Sequence, residues 1–175
     1  MDWISTYSGN KLDIESDTPI ITIKDIAHGL SLTCRFVGMC REFYSVAMHS
    51  IFLSNILFNE TGRNDYALVA LMHDAAEFVF GDIPTPIKKV MPEYERYHDL
   101  FLKNIFKKFN INFDLLKEIN KFDKMLALTE AEYLGIDTFE WELSNIYNQY
   151  PINLSNIRNP LDVEDMFIER YFDYK

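Results

Sequence analysis

The chain has 175 residues, 48% of them hydrophobic and 25% charged, a soluble globular balance that excludes disordered, collagenous and low-complexity classes, and no apolar run reaches the ~18–20 residues of a membrane-spanning helix. Its 17 Lys and Arg face 27 Asp and Glu, a net charge of −10, which repels duplex nucleic acid but admits a small anionic substrate held by a metal ion and a few clustered cations. The start MDWISTYSGN lacks the basic and apolar segments of a signal peptide, and two cysteines, Cys34 and Cys40, are too few for a disulfide scaffold, so free thiols, a cytoplasmic location and no membrane partner are expected.

One all-α domain is expected over 1–175, with an N-terminal hairpin over about 1–22, a helical core over about 23–135 and C-terminal helices over about 138–175. Ser8-Gly9-Asn10 is a turn signal between two short apolar segments, which suits the hairpin. Thr22 followed three residues later by Asp25 resembles a capping box, and Ile23, Ile26, Ala27 and Leu30 then place a helix over about 23–34. Ser45 caps a second helix carrying His49, which ends at Glu60-Thr61-Gly62. Asp65 opens a third helix that runs through Leu68, Leu71, Ala75 and Phe78 to Gly81, apolar nearly all round and therefore central. Pro84 and Pro86 prevent a continuous helix after it, and Pro86 suits the first turn of a short one. Helices follow over about 92–109, over about 115–134 with Asp114 as its cap, over about 138–150, and from Pro160 with Leu161, Val163, Met166, Phe167 and Tyr171 on one face. The total is six to eight helices on one core.

Chemistry concentrates in four stretches: Val46-Ala47-Met48-His49-Ser50, Leu71-Met72-His73-Asp74-Ala75-Ala76-Glu77, Gly81-Asp82-Ile83-Pro84-Thr85-Pro86-Ile87-Lys88, and the run from Phe122-Asp123 to Glu130-Ala131. His73, Asp74 and Glu77 interrupt an apolar helix, and charged residues are seldom buried unless paired or bound to metal. Their spacing of three and four places them along one side of that helix. Taken singly, His49, His73-Asp74 and Asp123 each read as ordinary polar positions. Together, two His and two Asp on three helices form the nitrogen and oxygen set that suits Zn, Mn, Co or Fe. Such an ion acidifies water and polarises a phosphoryl oxygen.

His49, His73-Asp74 and Asp123, with VAMHS, LMHDAAE, GDIPTPIK and FDKMLALTEA around them, resemble the signature of the HD-domain phosphohydrolases. The nearer likeness is to the subgroup of bacterial 5′-deoxynucleotidases and phage dATP triphosphohydrolases, over about residues 22–135. The resemblance implies that His49, His73, Asp74 and Asp123 hold the divalent transition metal, with a second Mg accompanying the substrate phosphates. It implies that Glu77 acts on the attacking water as general base or orients it, and that Asp82, Thr85 and Pro86 shape the substrate end. It places Lys88 against phosphate oxygens and Arg35, Phe36 and Val37 against sugar and base. Phe36 stands where the deoxynucleotidases carry Trp.

The reading that follows is a metal-dependent phosphohydrolase of deoxynucleotides. It leans toward dATP triphosphohydrolase activity releasing deoxynucleoside and triphosphate, with a 5′-deoxynucleotidase as the alternative. Alarmone or cyclic-nucleotide hydrolysis and a non-catalytic nucleotide-binding module are the other classes. No duplex nucleic acid and no membrane partner are expected, and a homo-oligomer, dimer or hexamer, is. The location is the cytoplasm, of the host if the gene is phage-borne. Arg41 and Lys124 read mainly as surface charges, His28 as a structural hydrogen-bonder, and His98 receives no role. The 14 Phe and 10 Tyr exceed the needs of one core and suit a base pocket or subunit interface.

Overall fold

The computed structural model describes residues 3–154 and 159–175. Residues 1–2 and 155–158, which fall within the expected hairpin and C-terminal helices, lie outside the described residues.

The hairpin consists of β1 (Ile4–Ser5) and β2 (Lys11–Leu12), antiparallel, with Ile4 opposite Leu12 and Ser5 opposite Lys11. Strands this short have no stability of their own. They are held because Leu12 is fully buried and because Asp25 reaches back to them. Asp25 Oδ1 accepts the Ser8 N–H at 2.6 Å, and Oδ2 accepts the Thr22 N–H at 2.8 Å. Thr22 Oγ1 in turn accepts the Asp25 N–H at 3.1 Å, so the expected capping box opens α1 (Ile23–Leu32). This helix stops earlier than its apolar pattern suggests. The Thr33 hydroxyl and N–H both donate to the Gly29 carbonyl, and Cys34 then pairs with Ser45 as an isolated bridge.

Two helices form the centre. α2 (Val46–Thr61) is capped by Ser45, whose Oγ accepts the Met48 N–H at 3.1 Å, and ends at Gly62 with φ +65°. It is buried on nearly every side over its first three turns, as a helix apolar all round must be. α3 (Asn64–Met72) packs against α2 in the most extensive helix pair of the molecule. α4 (Glu77–Phe80), α5 (Thr85–Lys88), α6 (Pro92–Lys108), α7 (Leu116–Tyr133) and α8 (Pro160–Tyr174) follow. α1, α7 and α8 pack around the α2–α3 pair. α6 meets α4 through Phe101, whose ring lies 6.2 Å from that of Phe78 and 5.8 Å from that of Phe80. α1 approaches α4 so closely that a Cβ on Gly29 would lie 2.7 Å from the Phe78 Cβ. Among the described residues no helix is long and apolar enough to cross a membrane.

Four local expectations are corrected. The third helix does not continue to Gly81: α3 ends at Met72, residues 73–76 form a turn, and α4 begins at Glu77. Residues 138–150 hold only a 3-10 turn at Glu142–Asn145. Asp114 does not cap α7; the Asn112 side chain accepts the Asp114 N–H at 3.1 Å in a preceding 3-10 turn. Leu161 is 69% exposed, while Val163, Phe167 and Tyr171 form the buried face of α8. The reason in the last case is the Asn159 cap, which accepts from the Leu161 and Asp162 N–H groups and leaves the first turn at the solvent edge.

Candidate metal centre

Three elements deliver the ligand candidates. His49 lies in the first turn of α2, fully buried. Asp123 projects from the middle of α7. His73 and Asp74 occupy the turn after α3, and the break in the helix is what aims them. The Ala70 carbonyl receives the His73 ring Nδ1 at 2.7 Å. The chain meanwhile tightens to three-residue spacing, with Ala75 N–H donating to Met72 and Glu77 N–H to Asp74.

These partners settle the histidine tautomers. A carbonyl only accepts, so His73 carries its proton on Nδ1. His49 Nδ1 lies 2.9 and 3.0 Å from the two oxygens of Glu130 and donates likewise. Both rings therefore turn Nε2 inward, 3.3 Å apart. Around that pair, Asp123 Oδ1 lies 3.0 Å from His49 Nε2 and 3.7 Å from His73 Nε2. Asp74 Oδ2 lies 3.0 Å from His73 Nε2 and 3.8 Å from His49 Nε2. His49, His73 and Asp123 offer atoms that all fall within 4.8 Å of one another.

The electrostatics call for added positive charge at that point. Burial disfavours a charged imidazole, yet Asp74 and Asp123 outweigh it at His73, and Glu130 and Asp123 outweigh it and Arg35 at His49, so both are raised above the ordinary histidine value. Burial likewise pushes Asp74 and Asp123 up, but the two histidines win and hold both below the usual carboxylate range. A proton on Nε2 meets this demand in part. A divalent cation meets it fully and uses both nitrogen lone pairs, which is the usual competition between proton and metal. Two imidazole nitrogens with carboxylate oxygens, fixed by hydrogen bonds to the far ring nitrogens, are a fitting donor set for a transition metal.

Arg35 closes one side. Its Nε is 3.2 Å from Glu130 Oε2 and its Nη1 3.7 Å from Asp74 Oδ2. Burial opposes its charge, but Glu130, Asp82, Asp74 and Asp123 outweigh that and strengthen its hold on the proton. The chain reaches this arrangement through strain: Phe36 and Val37 have φ of 55° and 51°, a left-handed conformation costing non-glycine residues about 1–3 kcal/mol each. Asp82 holds the bend, its Oδ2 accepting the Phe36 N–H at 3.0 Å. The Arg35 N–H donates to the Tyr44 carbonyl at 2.8 Å. Glu77 follows Asp74 by three residues, its N–H donating to the Asp74 carbonyl at 2.9 Å. It is 3% exposed, its Oε2 has no hydrogen-bond partner among the described residues, and its Oε1 lies 3.6 Å from Lys88 Nζ. Burial first, then Asp74 and Asp82, push its carboxyl well up, with Lys88 and Arg35 opposing.

The structure thus brings His49, His73, Asp74, Asp123 and Arg35 into one cluster, links Lys88 to Glu77, and ties Asp82 to the Phe36 backbone. Thr85, Pro86 and Val37 are exposed, and among the described residues none has a side-chain hydrogen bond or ion pair with the cluster. Three contributors carry no role in the sequence reading. Glu130 and Tyr44 are fully buried behind His49. Glu130 follows Asp123 by seven residues, which places both on one face of α7 with Leu126 and Ala127 between them; a charge beside those apolar positions was the available signal. The third is Trp141, whose ring lies 6.4 Å from that of Phe36, tilted by 38°. Its segment has no periodicity to mark it. His28 does make the expected structural hydrogen bond, to Glu164 at 2.8 Å, and Cys34 and Cys40 are free thiols.

Comparison with known proteins adds to this geometry. The family model described as 5′-deoxynucleotidase YfbR-like matches residues 41–105, a stretch that includes His49, His73, Asp74, Glu77, Asp82 and Lys88. The chain is 32% identical over 181 residues to the uncharacterized protein YfdR of Escherichia coli, an alignment covering 99% of this chain and 96% of that protein. It is 33% identical over 143 residues to an uncharacterized protein of Rhodobacter capsulatus, covering 76% of this chain and 73% of the relative.

Proposed function

Because the chain belongs to the HD-domain phosphohydrolase family, we propose that it is a 5′-deoxynucleotidase, converting a deoxynucleoside monophosphate and water to a deoxynucleoside and orthophosphate. The observation that carries this reading is the convergence of two inward Nε2 atoms and two aspartate oxygens beside a buried glutamate with one free oxygen. A divalent ion held by His49, His73, Asp74 and Asp123 supplies Lewis acidity to water and to a phosphoryl oxygen.

The protein groups supply the rest. Glu77, whose carboxyl burial and then Asp74 and Asp82 push up, takes the proton of the attacking water. The new bond forms to phosphorus, the bond from phosphorus to the 5′ oxygen breaks, and that oxygen leaves as a hydroxyl carrying the proton that Glu77 took from the water. Lys88 and Arg35 flank the centre and offset charge on the phosphoryl oxygens. The sugar and base lie toward Phe36, with Trp141 as a second aromatic face.

Two cations beside five acidic side chains suit a single phosphate better than three. This and the description of the matching family model support the monophosphate over the dATP reading. The test is product analysis after incubation with each dNMP, NMP and dNTP in Mn2+, Co2+, Zn2+ or Mg2+. The expected result is orthophosphate from dNMPs ahead of NMPs, abolished by a chelator. Tripolyphosphate from dATP, with dNMPs untouched, would replace this reading by the triphosphohydrolase one. No product from any nucleotide would leave the binding-module reading.

A further inference from the structure

Behind the metal centre lies a polar network in the middle of the core. Glu130, Tyr44 and His49 are fully buried, and Arg35 is 8% exposed. A buried carboxylate is costly unless donors surround it, and apolar packing of the same volume is often more stable than a buried ionic group. Three groups from the stretch 35–49, distant in sequence from Glu130, meet it, two through hydrogen bonds and one as an ion pair. Tyr44 donates its hydroxyl to Oε1 at 2.6 Å. His49 Nδ1 is shared between Oε1 and Oε2 at 2.9 and 3.0 Å. Arg35 Nε faces Oε2 at 3.2 Å.

We infer that Glu130 is the positioning residue of the metal centre, holding His49 in the tautomer that presents Nε2 to the ion while fixing Arg35 at the rim. The inference rests on the metal-centre part of the proposed function. Its logic is that a metal-bound histidine needs its other nitrogen protonated and oriented, and an anionic acceptor does both. One carboxylate here serves a metal ligand and a cation of the substrate side together.

Glu130→Gln tests this with nearly unchanged volume. If the amide oxygen faces His49 and Tyr44, the amide nitrogen faces Arg35, donor against donor. If it is reversed, the nitrogen faces His49 Nδ1 and favours the proton on Nε2, which excludes the ion. Metal-free wild type and variant are titrated with Co2+, reading the visible cobalt bands and affinity by chelator competition, with thermal melts of the metal-free forms alongside. The expected result is Co2+ binding weakened about 10–100-fold with shifted bands. A purely structural role would lower the melting temperature and leave Co2+ affinity and bands unchanged; that outcome overturns the inference. If E130Q does not fold, Tyr44→Phe decides: a few-fold weaker Co2+ binding supports the role, and wild-type binding refutes it. Wild type that binds Co2+ through His49 but hydrolyses no deoxynucleotide overturns the proposed function and leaves this inference standing. Wild type that binds no Co2+ overturns the inference itself.

Discussion

Glu77→Gln is expected to separate activity from stability. The side chain is 3% exposed, one oxygen has no hydrogen-bond partner among the described residues, and Lys88 is 3.6 Å from the other oxygen. An unsatisfied buried polar group costs about 1–3 kcal/mol, more when charged. Lys88 offsets part of that, so the neutral amide recovers about 1 kcal/mol, a melting-temperature rise of about 2–4 °C in a chain of this length. The same change removes the proton acceptor. General acid–base groups contribute roughly 10²–10⁴-fold, equivalent to about 2.7–5.4 kcal/mol of barrier. The assay is steady-state orthophosphate release from dNMPs at saturating metal, with bound metal measured on the same samples and calorimetric melts. The expected pattern is full metal content, a kcat lower by two to four decades and a modestly higher melting temperature. A wild-type kcat would refute the role of Glu77. A melting temperature several degrees lower would refute the claim that its burial is costly.

Further predictions concern the frame and the substrate side. Asp25→Ala removes the N3 half of the capping box and the hairpin anchor, at an expected cost of about 1–2 kcal/mol in denaturant unfolding. Burial pushes the Asp25 carboxyl up, but the N–H groups of Ser8 and Thr22 outweigh it and the net shift is downward. Its stabilisation is therefore present above the ordinary value of about 3.9 and lost as pH falls through the lower folded-state value. Wild type should lose this increment on acidification below about pH 4, and the variant should lack that part of the pH dependence. Gly29→Ala should destabilise by about 1–3 kcal/mol in spite of alanine's helix propensity. The new Cβ meets the Phe78 Cβ at 2.7 Å and its carbonyl oxygen at 3.2 Å, and neither can swing away; a neutral melt would contradict the α1–α4 packing. Trp141→Ala should raise KM for deoxynucleotides by a factor of about five or more, the low end of base–aromatic stacking at roughly 1–3 kcal/mol. Hydrolysis of p-nitrophenyl phosphate, which has no nucleobase, should change little, and equal effects on both substrates would argue against a base contact.

Much of this protein was legible as local chemistry. Thr22 with Asp25, Ser45 before α2 and Pro160 opening α8 marked helix starts correctly, because a cap is made by residues three or four apart. The nearly all-round apolar character of the helix opened by Asp65 placed it at the centre, and residues 67–72 are buried there, because burial on every side leaves no polar stripe; the equally central place of α2 came from the structure. His73 and Asp74 stood out because charged residues within an apolar helix need a reason to be there; His49 and Asp123 joined them only as members of one nitrogen and oxygen set and through the family resemblance.

The remainder depended on contacts that no local pattern encodes. The apolar spacing of Leu68, Leu71, Ala75 and Phe78 predicts one helix through His73 to Gly81. It breaks instead where the imidazole takes the Ala70 carbonyl, a bond made profitable by what the other ring nitrogen faces across the core. Residues 138–150 have enough helix formers to suggest a helix, yet only Glu142–Asn145 turns, as a short segment without a strong buried face cannot offset nucleation. By itself, then, the sequence determined the class of fold, the helix starts and one central helix, since composition, caps and periodicity act within a few turns, and its resemblance to the HD-domain phosphohydrolases pointed to the groups expected to hold a metal. Only the tertiary structure decided that Glu130 stands behind His49, 81 residues away in the chain, and that Arg35 turns inward through a strained bend held by Asp82. Such pairings are selected by the energy of burying charges together, which is a property of the assembled core.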